Sequence, residues 1–222
     1  MNKTLLLATA AVFALTAGAA SAAKPVASAH APQQHVKLRP QNGNTTLYDQ
    51  SAGSNGIGIV SQTFEPSFSI YDAAGADDFA FSGKHTVTEV IANGVYFNGA
   101  GPADSFDVTF YKKIKKGKAK VLGTCAAQSY TDLTGTGYPD ITLSGCSGKT
   151  KMKAGLVSVV ANMAFASGGE WGWNTNNTVA GNPAQWQNPG GGLSTGCATW
   201  TTLTTCIAAG EGGDFAFALL GN

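Results

Sequence analysis

The sequence predicts an all-β protein, an antiparallel β-sandwich of jelly-roll type carrying two disulfides. Three observations lead there. Apolar and polar residues alternate with a period of two, again and again between Ile57 and Leu219, which half-buried strands require and helices do not. The chain has 29 glycines and only 12% charged residues, a composition suited to many short strands joined by turns. Its four cysteines include no C-x-x-C pair and follow an N-terminal leader, a pattern of the oxidising compartments where disulfides persist.

Residues 1–22 read as a secretory signal peptide. Lys3 supplies the positive start, residues 4–17 an apolar run, and Ala20-Ser21-Ala22 a cleavage site. The run is too short to span a membrane, and no second one of spanning length follows. A secreted or periplasmic location is therefore expected. Removing the leader takes away Lys3 and leaves thirteen basic against thirteen acidic side chains. No global field would then draw the protein to nucleic acid or a membrane surface.

Residues 23–55 carry Pro, Gln, Ser and Gly without apolar periodicity, so a flexible linker is expected. His30 and His35 fall in it as solvent-exposed residues rather than metal ligands. The folded domain is expected over 56–222.

Within it, residues 57–64 form the first full strand, which Pro66 ends because proline cannot donate to a ladder. Residues 77–81 form a short strand with Phe79 and Phe81 on one face. Ser82-Gly83-Lys84-His85 reads as a turn, and 86–97 as a longer strand leaving through Asn98-Gly99 and Gly101-Pro102. In 106–111, Phe106, Val108 and Phe110 should face the core, with Asp107 and Thr109 outward. Six lysines between Lys112 and Lys120 then sit on a hairpin turning near Gly117, with Cys125 on the return strand. Ile141 and Leu143 mark a strand ending at Cys146. Residues 155–165 are the longest alternating run, with Val157, Val159, Ala161, Met163 and Phe165 apolar. Residues 214–219 close the chain, with Phe215, Phe217 and Leu219 inward, as a strand pairing in mid-sheet. The total is eight to ten strands in one domain, with no internal repeat.

Four cysteines allow three pairings. The sequential one, Cys125–Cys146 and Cys197–Cys206, closes the two shortest loops and is the one expected. A zinc site would ordinarily use a C-x-x-C pair, which is missing.

Several motifs together resemble a group of secreted bacterial jelly-roll modules of the choice-of-anchor-like type. They are Ala76-Asp77-Asp78-Phe79, Asp107-Val108-Thr109-Phe110-Tyr111, Lys153-Ala154-Gly155, Gly169-Glu170-Trp171-Gly172-Trp173, Trp186-Gln187-Asn188-Pro189 with its three glycines, Gly196-Cys197-Ala198-Thr199-Trp200 and Asp214-Phe215-Ala216-Phe217. The resemblance covers roughly 57–222 and implies a fold group rather than an activity. Such modules occur alone or beside catalytic, adhesive and anchoring domains. Many carry an aromatic where this chain has Leu156, and many end in a sorting signal, whereas nothing follows Asn222 here, so surface anchoring is not expected.

Five groups of residues bear on function. Gly192-Leu193-Ser194-Thr195-Gly196 matches G-x-S-x-G, but a nucleophile elbow needs a strand before the serine, a helix after it and a later histidine, and no histidine follows His85. Glu65, Glu89 and Glu170 could form a glycosidase pair only if folding brought two of them together. Asp72, Asp77, Asp78 and Asp104, with Asp107 nearby, could supply oxygens to a structural calcium ion, although no twelve-residue loop signature is present. Trp171, Trp173, Trp186 and Trp200 lie among Asn, Gln and Thr, as the stacking platform of a carbohydrate site would, or as rings packed in the loop layer with their N–H groups on backbone. The lysine hairpin is a solvated tip that blocks edge pairing, or a contact for an anionic partner. Nucleic acid is not the expected partner, because the chain's one arginine, Arg39, lies in the linker.

The functional expectation is an exported, non-catalytic module, monomeric or weakly self-associating, that binds a polysaccharide or another envelope component through the four tryptophans. A secreted hydrolase and a purely structural envelope protein are the alternatives.

Overall fold

The structure is a computed structural model that describes residues 23–30, 32, 36, 43–207 and 211–222. The expected signal peptide lies outside the described residues.

In chain order the first strands are β1 (Ser28–His30), β2 (Thr45–Asp49), β3 (Ser54–Val60), β4 (Gln62–Thr63), β5 (Ala74–Ala92) and β6 (Gly94–Phe97). Next come β7 (Ser105–Lys115), β8 (Lys118–Gln128), β9 (Tyr130–Asp132), β10 (Pro139–Thr142), β11 (Ser147–Gly148) and β12 (Lys151–Asn162). The last are β13 (Glu170–Asn176), β14 (Gln185–Gln187), β15 (Thr201–Thr202), β16 (Asp214–Phe215) and β17 (Phe217–Gly221). Two one-turn helices, α1 (Phe165–Gly168) and α2 (Leu203–Cys206), interrupt them.

These strands form two packed sheets, the expected antiparallel sandwich. The smaller runs β1-β3-β13-β16, with β6 also on β13. The larger is built on the path β11-β8-β7-β12-β5-β10-β9, with β17 and β14 also pairing with β5. Among the pairings, β12 with β4 is parallel.

The chain crosses between sheets at two adjacent places. Asn93 separates β5 in the larger sheet from β6 in the smaller, and Ala216 separates β16 from β17 in the same way. Asn93 N–H donates to the Ala216 carbonyl, and the Asn174 side-chain amide donates to Asn93 Oδ1 at 2.7 Å. This corner keeps the backbone groups paired where strands change layer.

The core between the layers mixes aliphatic side chains with Phe and Trp rings. Phe106, Val108 and Phe110 are buried, as their alternation with Asp107 and Thr109 predicts. Trp173 stacks on Phe215 with centroids 4.5 Å apart, and Trp171 meets Phe106 edge-on at 5.0 Å. β17 lies between β2 and β5, so the closing segment pairs in mid-sheet from Phe217 on, but Asp214–Phe215 pair with β13 in the smaller sheet instead of continuing the same strand. Both expected disulfides are present, Cys125–Cys146 and Cys197–Cys206.

Three expectations are corrected. Residues 23–55 contribute ordered strands rather than only a tether: β1 pairs with β3 and β2 with β17. Their short apolar content needs no alternation of its own, because each adds to an edge already made by strands of the two sheets, β3 and β17. Ser82-Gly83-Lys84-His85 does not end a strand. Ala154 faces Ala80 while Met152 faces His85, so the extra residues bulge out and β5 continues through them. The longest alternating run is displaced toward the N-terminus and ends at Asn162. Beyond it, Phe165 and Ala166 donate their N–H groups to the Glu65 carboxylate at 2.7 and 3.2 Å, which starts α1 and stops the extended backbone.

Candidate functional site

The β7–β8 hairpin turns through Lys116 and Gly117, both at positive φ (50° and 72°), the conformation of a two-residue primed turn. Below the turn the register slips: Tyr111 faces Val121, but Lys113 faces Lys120. Lys112 is therefore an inserted residue on β7. A bulge of this kind turns two neighbouring side chains toward one side, which explains how Lys112 and Lys113 line the same wall.

On its other edge, β7 pairs with β12 only as far as Tyr111 opposite Leu156. Ala154 and Gly155 remain paired with Ala80 and Phe79 of β5. Hairpin and ladder thus diverge, and an open groove of about 820 Å³ lies where they part. Phe79, Ala80 and Ala154–Leu156 form its floor, and Tyr48 also lines it.

Residues 180–183, with Gln185 and Thr202, also line the groove. Two carboxylates hold this segment. Asp214 accepts from Ala180 N–H at 2.6 Å and Ala184 N–H at 3.2 Å. Asp78 accepts from the backbone N–H of Asn182 at 3.1 Å and from its side-chain amide at 2.6 Å. Gly181 sits at φ 95°, and a Cβ there would run into the Asp78 carboxylate, so this position requires glycine.

Behind the groove Asp77 is fully buried. Its carboxylate accepts from the Gln50 amide and Phe215 N–H, both at 2.7 Å, and from Asp78 N–H at 2.8 Å. Burial, reinforced by the charge of Asp214, pushes Asp77 well above the usual carboxylate range. Burial also pushes Asp214 up to about 6. The Tyr48 hydroxyl donates to Gln50 Oε1 at 2.5 Å. Burial, then the neighbouring Asp77, Asp78 and Asp214, raise the phenol above its ordinary value, so Tyr48 offers a neutral hydroxyl.

The expected tryptophan platform is corrected. Trp171, Trp173 and Trp186 have no exposure and Trp200 only 7%. The indole N–H groups of Trp171, Trp173 and Trp186 donate to the carbonyls of Gly137, Ala216 and Val60 at 2.8, 3.0 and 2.8 Å. Trp200 packs edge-on against Tyr111. Large rings with one polar atom are well placed in a core that offers that atom a carbonyl, and no face is left for a sugar.

The expected calcium ligands do not converge either. Asp72 accepts from Phe64 N–H at 2.8 Å, Asp77 and Asp78 are bonded as above, and Asp104 is exposed. Among the described residues no group of three or more His, Cys, Asp or Glu is placed to hold a metal. Asp72, Asp77 and Asp78 serve backbone N–H groups instead, as Asp commonly does at turns.

The three glutamates are separately engaged. Glu65 starts α1. Glu89 accepts from the Asn44 amide at 2.8 Å. Glu170 accepts from Val26 N–H at 2.9 Å and the Asn98 amide at 2.7 Å, and burial pushes it up to about 7. None of them lines the groove. Ser194 lies in the loop between β14 and β15, without the strand-turn-helix of an elbow. His85 meets the Phe81 ring edge-on and is half-buried.

Sequence reasoning places Lys112 and Lys113 on a hairpin that is either a solvated tip or a contact for an anionic partner, gives Asp78 to a calcium site, and passes over Tyr48, Asn182, Gln185 and Thr202 as site residues. The one available signal was the clustering of Asn and Gln between Trp173 and Trp186. No family model, curated protein or solved structure matches the chain.

Proposed function

We propose that the chain is an exported, non-catalytic β-sandwich module whose groove binds a glycan of the envelope or the extracellular medium. The observation that carries this reading is the groove's chemistry. Amides from Asn182 and Gln185, hydroxyls from Tyr48 and Thr202, two ammonium groups and one carboxylate surround a space of ligand size, about 820 Å³. Sugar hydroxyls both donate and accept, and side chains that do the same on neighbouring walls answer them.

Binding is favoured over cleavage. Glycoside hydrolysis ordinarily uses two carboxyl groups flanking the scissile bond. Asp78 is the single carboxylate among the residues lining the groove, and its Oδ2 already holds Asn182. Two disulfides fit an oxidising compartment, and among the described residues no helix is long and apolar enough to cross a membrane. The leader over 1–22 and the resemblance to choice-of-anchor-like modules support export.

A glycan array probed with the exported protein tests the reading. A subset of glycans should bind, and Asn182→Ala with Gln185→Ala should abolish the signal while leaving the urea midpoint near that of the parent. A blank array, or glycan chains shortened during incubation, would count against a non-catalytic glycan binder.

A further inference from the structure

We infer that the groove, read as a glycan site as above, takes a polysaccharide bearing anionic groups along its length, with the β7–β8 hairpin as the cationic track that extends the site. The inference rests on four features of the hairpin.

Lys112 and Lys113 both line the groove because the bulge aligns them. Lys115, Lys116, Lys118 and Lys120 carry the same charge outward along both strands to the turn, and all six lysines are exposed. The pairing sets like charges opposite one another: Lys113 faces Lys120 and Lys115 faces Lys118. Directly opposed like charges destabilise a strand pair. Blocking an edge needs far fewer lysines than this. An anion lying between the rows would remove the repulsion.

The charge is also concentrated. Without the leader the hairpin holds six of thirteen Lys and Arg residues, leaving seven to face the twelve carboxylates outside β7 and β8. A polyanion would therefore be drawn to this face and repelled by the remainder. Asp78 is the single carboxylate among the residues lining the groove, against two lysines, and its Oδ2 takes two N–H donors from Asn182.

The neighbouring groups favour polysaccharide over nucleic acid. Single-stranded nucleic acid is gripped by successive aromatic faces and by arginine. The groove offers the half-buried ring of Tyr48 beside amides and hydroxyls, and among the described residues no arginine lines it. Lysine acts on an anion as a point charge, which suits uronate and sulfate groups alike.

Calorimetry of the exported protein with polygalacturonate, dextran sulfate, a neutral glucan and a DNA duplex tests this. At low salt either polyanionic glycan or both should bind, with affinity falling steeply as salt rises, and the neutral glucan should bind at least about tenfold more weakly. Lys112→Gln with Lys113→Gln should weaken polyanion binding by about tenfold or more, and Lys115→Gln with Lys118→Gln should flatten the salt dependence while sparing the groove. The arm that responds tells uronate from sulfate. Equal binding of the neutral glucan, unchanged in the Lys112/Lys113 variant, would overturn the anionic inference and leave the glycan site standing. DNA bound as tightly as the polyanionic glycans would overturn the choice of polysaccharide. No binding of any glycan would overturn both readings.

Discussion

The Gln50 side-chain amide donates to the buried Asp77 carboxylate at 2.7 Å, and to the Phe215 carbonyl at 2.6 Å. One residue near the start of the fold thus ties β5 to the closing segment of the chain, directly behind the groove. Gln50 was expected in a tether and Asp77 in a metal site. Their contact replaces both ideas with a structural bond.

Gln50→Ala should therefore cost about 2 kcal/mol of stability, because it leaves a buried carboxylate and a carbonyl short of a donor. Urea denaturation followed by circular dichroism measures this. A change within a few tenths of a kcal/mol is the result expected of a flexible tether instead.

The buried acids set a pH dependence. Burial raises Glu170 from its ordinary 4.5 to about 7, and Asp214 from 3.8 to about 6. Between those values the folded state binds more protons than the unfolded one, so stability falls as pH rises. The contribution is complete below about pH 4 and is lost as pH rises through 6 and 7. Glu170 alone should account for roughly 3 kcal/mol of that decline. Urea midpoints taken from pH 4 to 8 should fall in the parent and fall less steeply in Glu170→Gln, where Asp214 and Asp77 still contribute.

The four tryptophans should report burial. Emission of the native protein should be blue-shifted and resistant to acrylamide quenching, and saturating glycan should alter it little. Trp173→Ala should cost about 4 kcal/mol, since it removes the ring that packs against both Phe215 and Phe217. Quenching at the rate of free indole would contradict the packing described here.

The Cys197–Cys206 bridge spans nine positions around α2 and lies just beyond Thr202 on the groove wall. Replacing both cysteines with serine should lower stability by roughly 3 kcal/mol, chiefly by freeing the unfolded chain. Glycan affinity should fall with it, because Thr202 loses its anchor. Thermal melts and the array signal measured on the same preparation separate the two effects.

The layered fold could be read from the chain because strand alternation is local. Phe106, Val108 and Phe110 carry the inward face of β7 in their own spacing, and any neighbour of the right polarity completes it. The disulfides were legible for a similar reason, since the shortest loops pair first. The short strands near Ser28 and Thr45 were not, because an edge partner of a few residues is defined by the strand it joins.

What the sequence alone determined is therefore the sandwich, its two bridges and the hairpin of lysines. Where each side chain ends up depends on contacts between segments far apart in the chain. Four tryptophans that composition places near a polar loop are drawn inward by core aromatics and backbone carbonyls. The groove joins Tyr48, Asp78, Lys112, Leu156, Asn182 and Thr202 across much of the chain. It exists because one inserted residue at Lys112 shifts a register, and register is a property of two strands together rather than of either one.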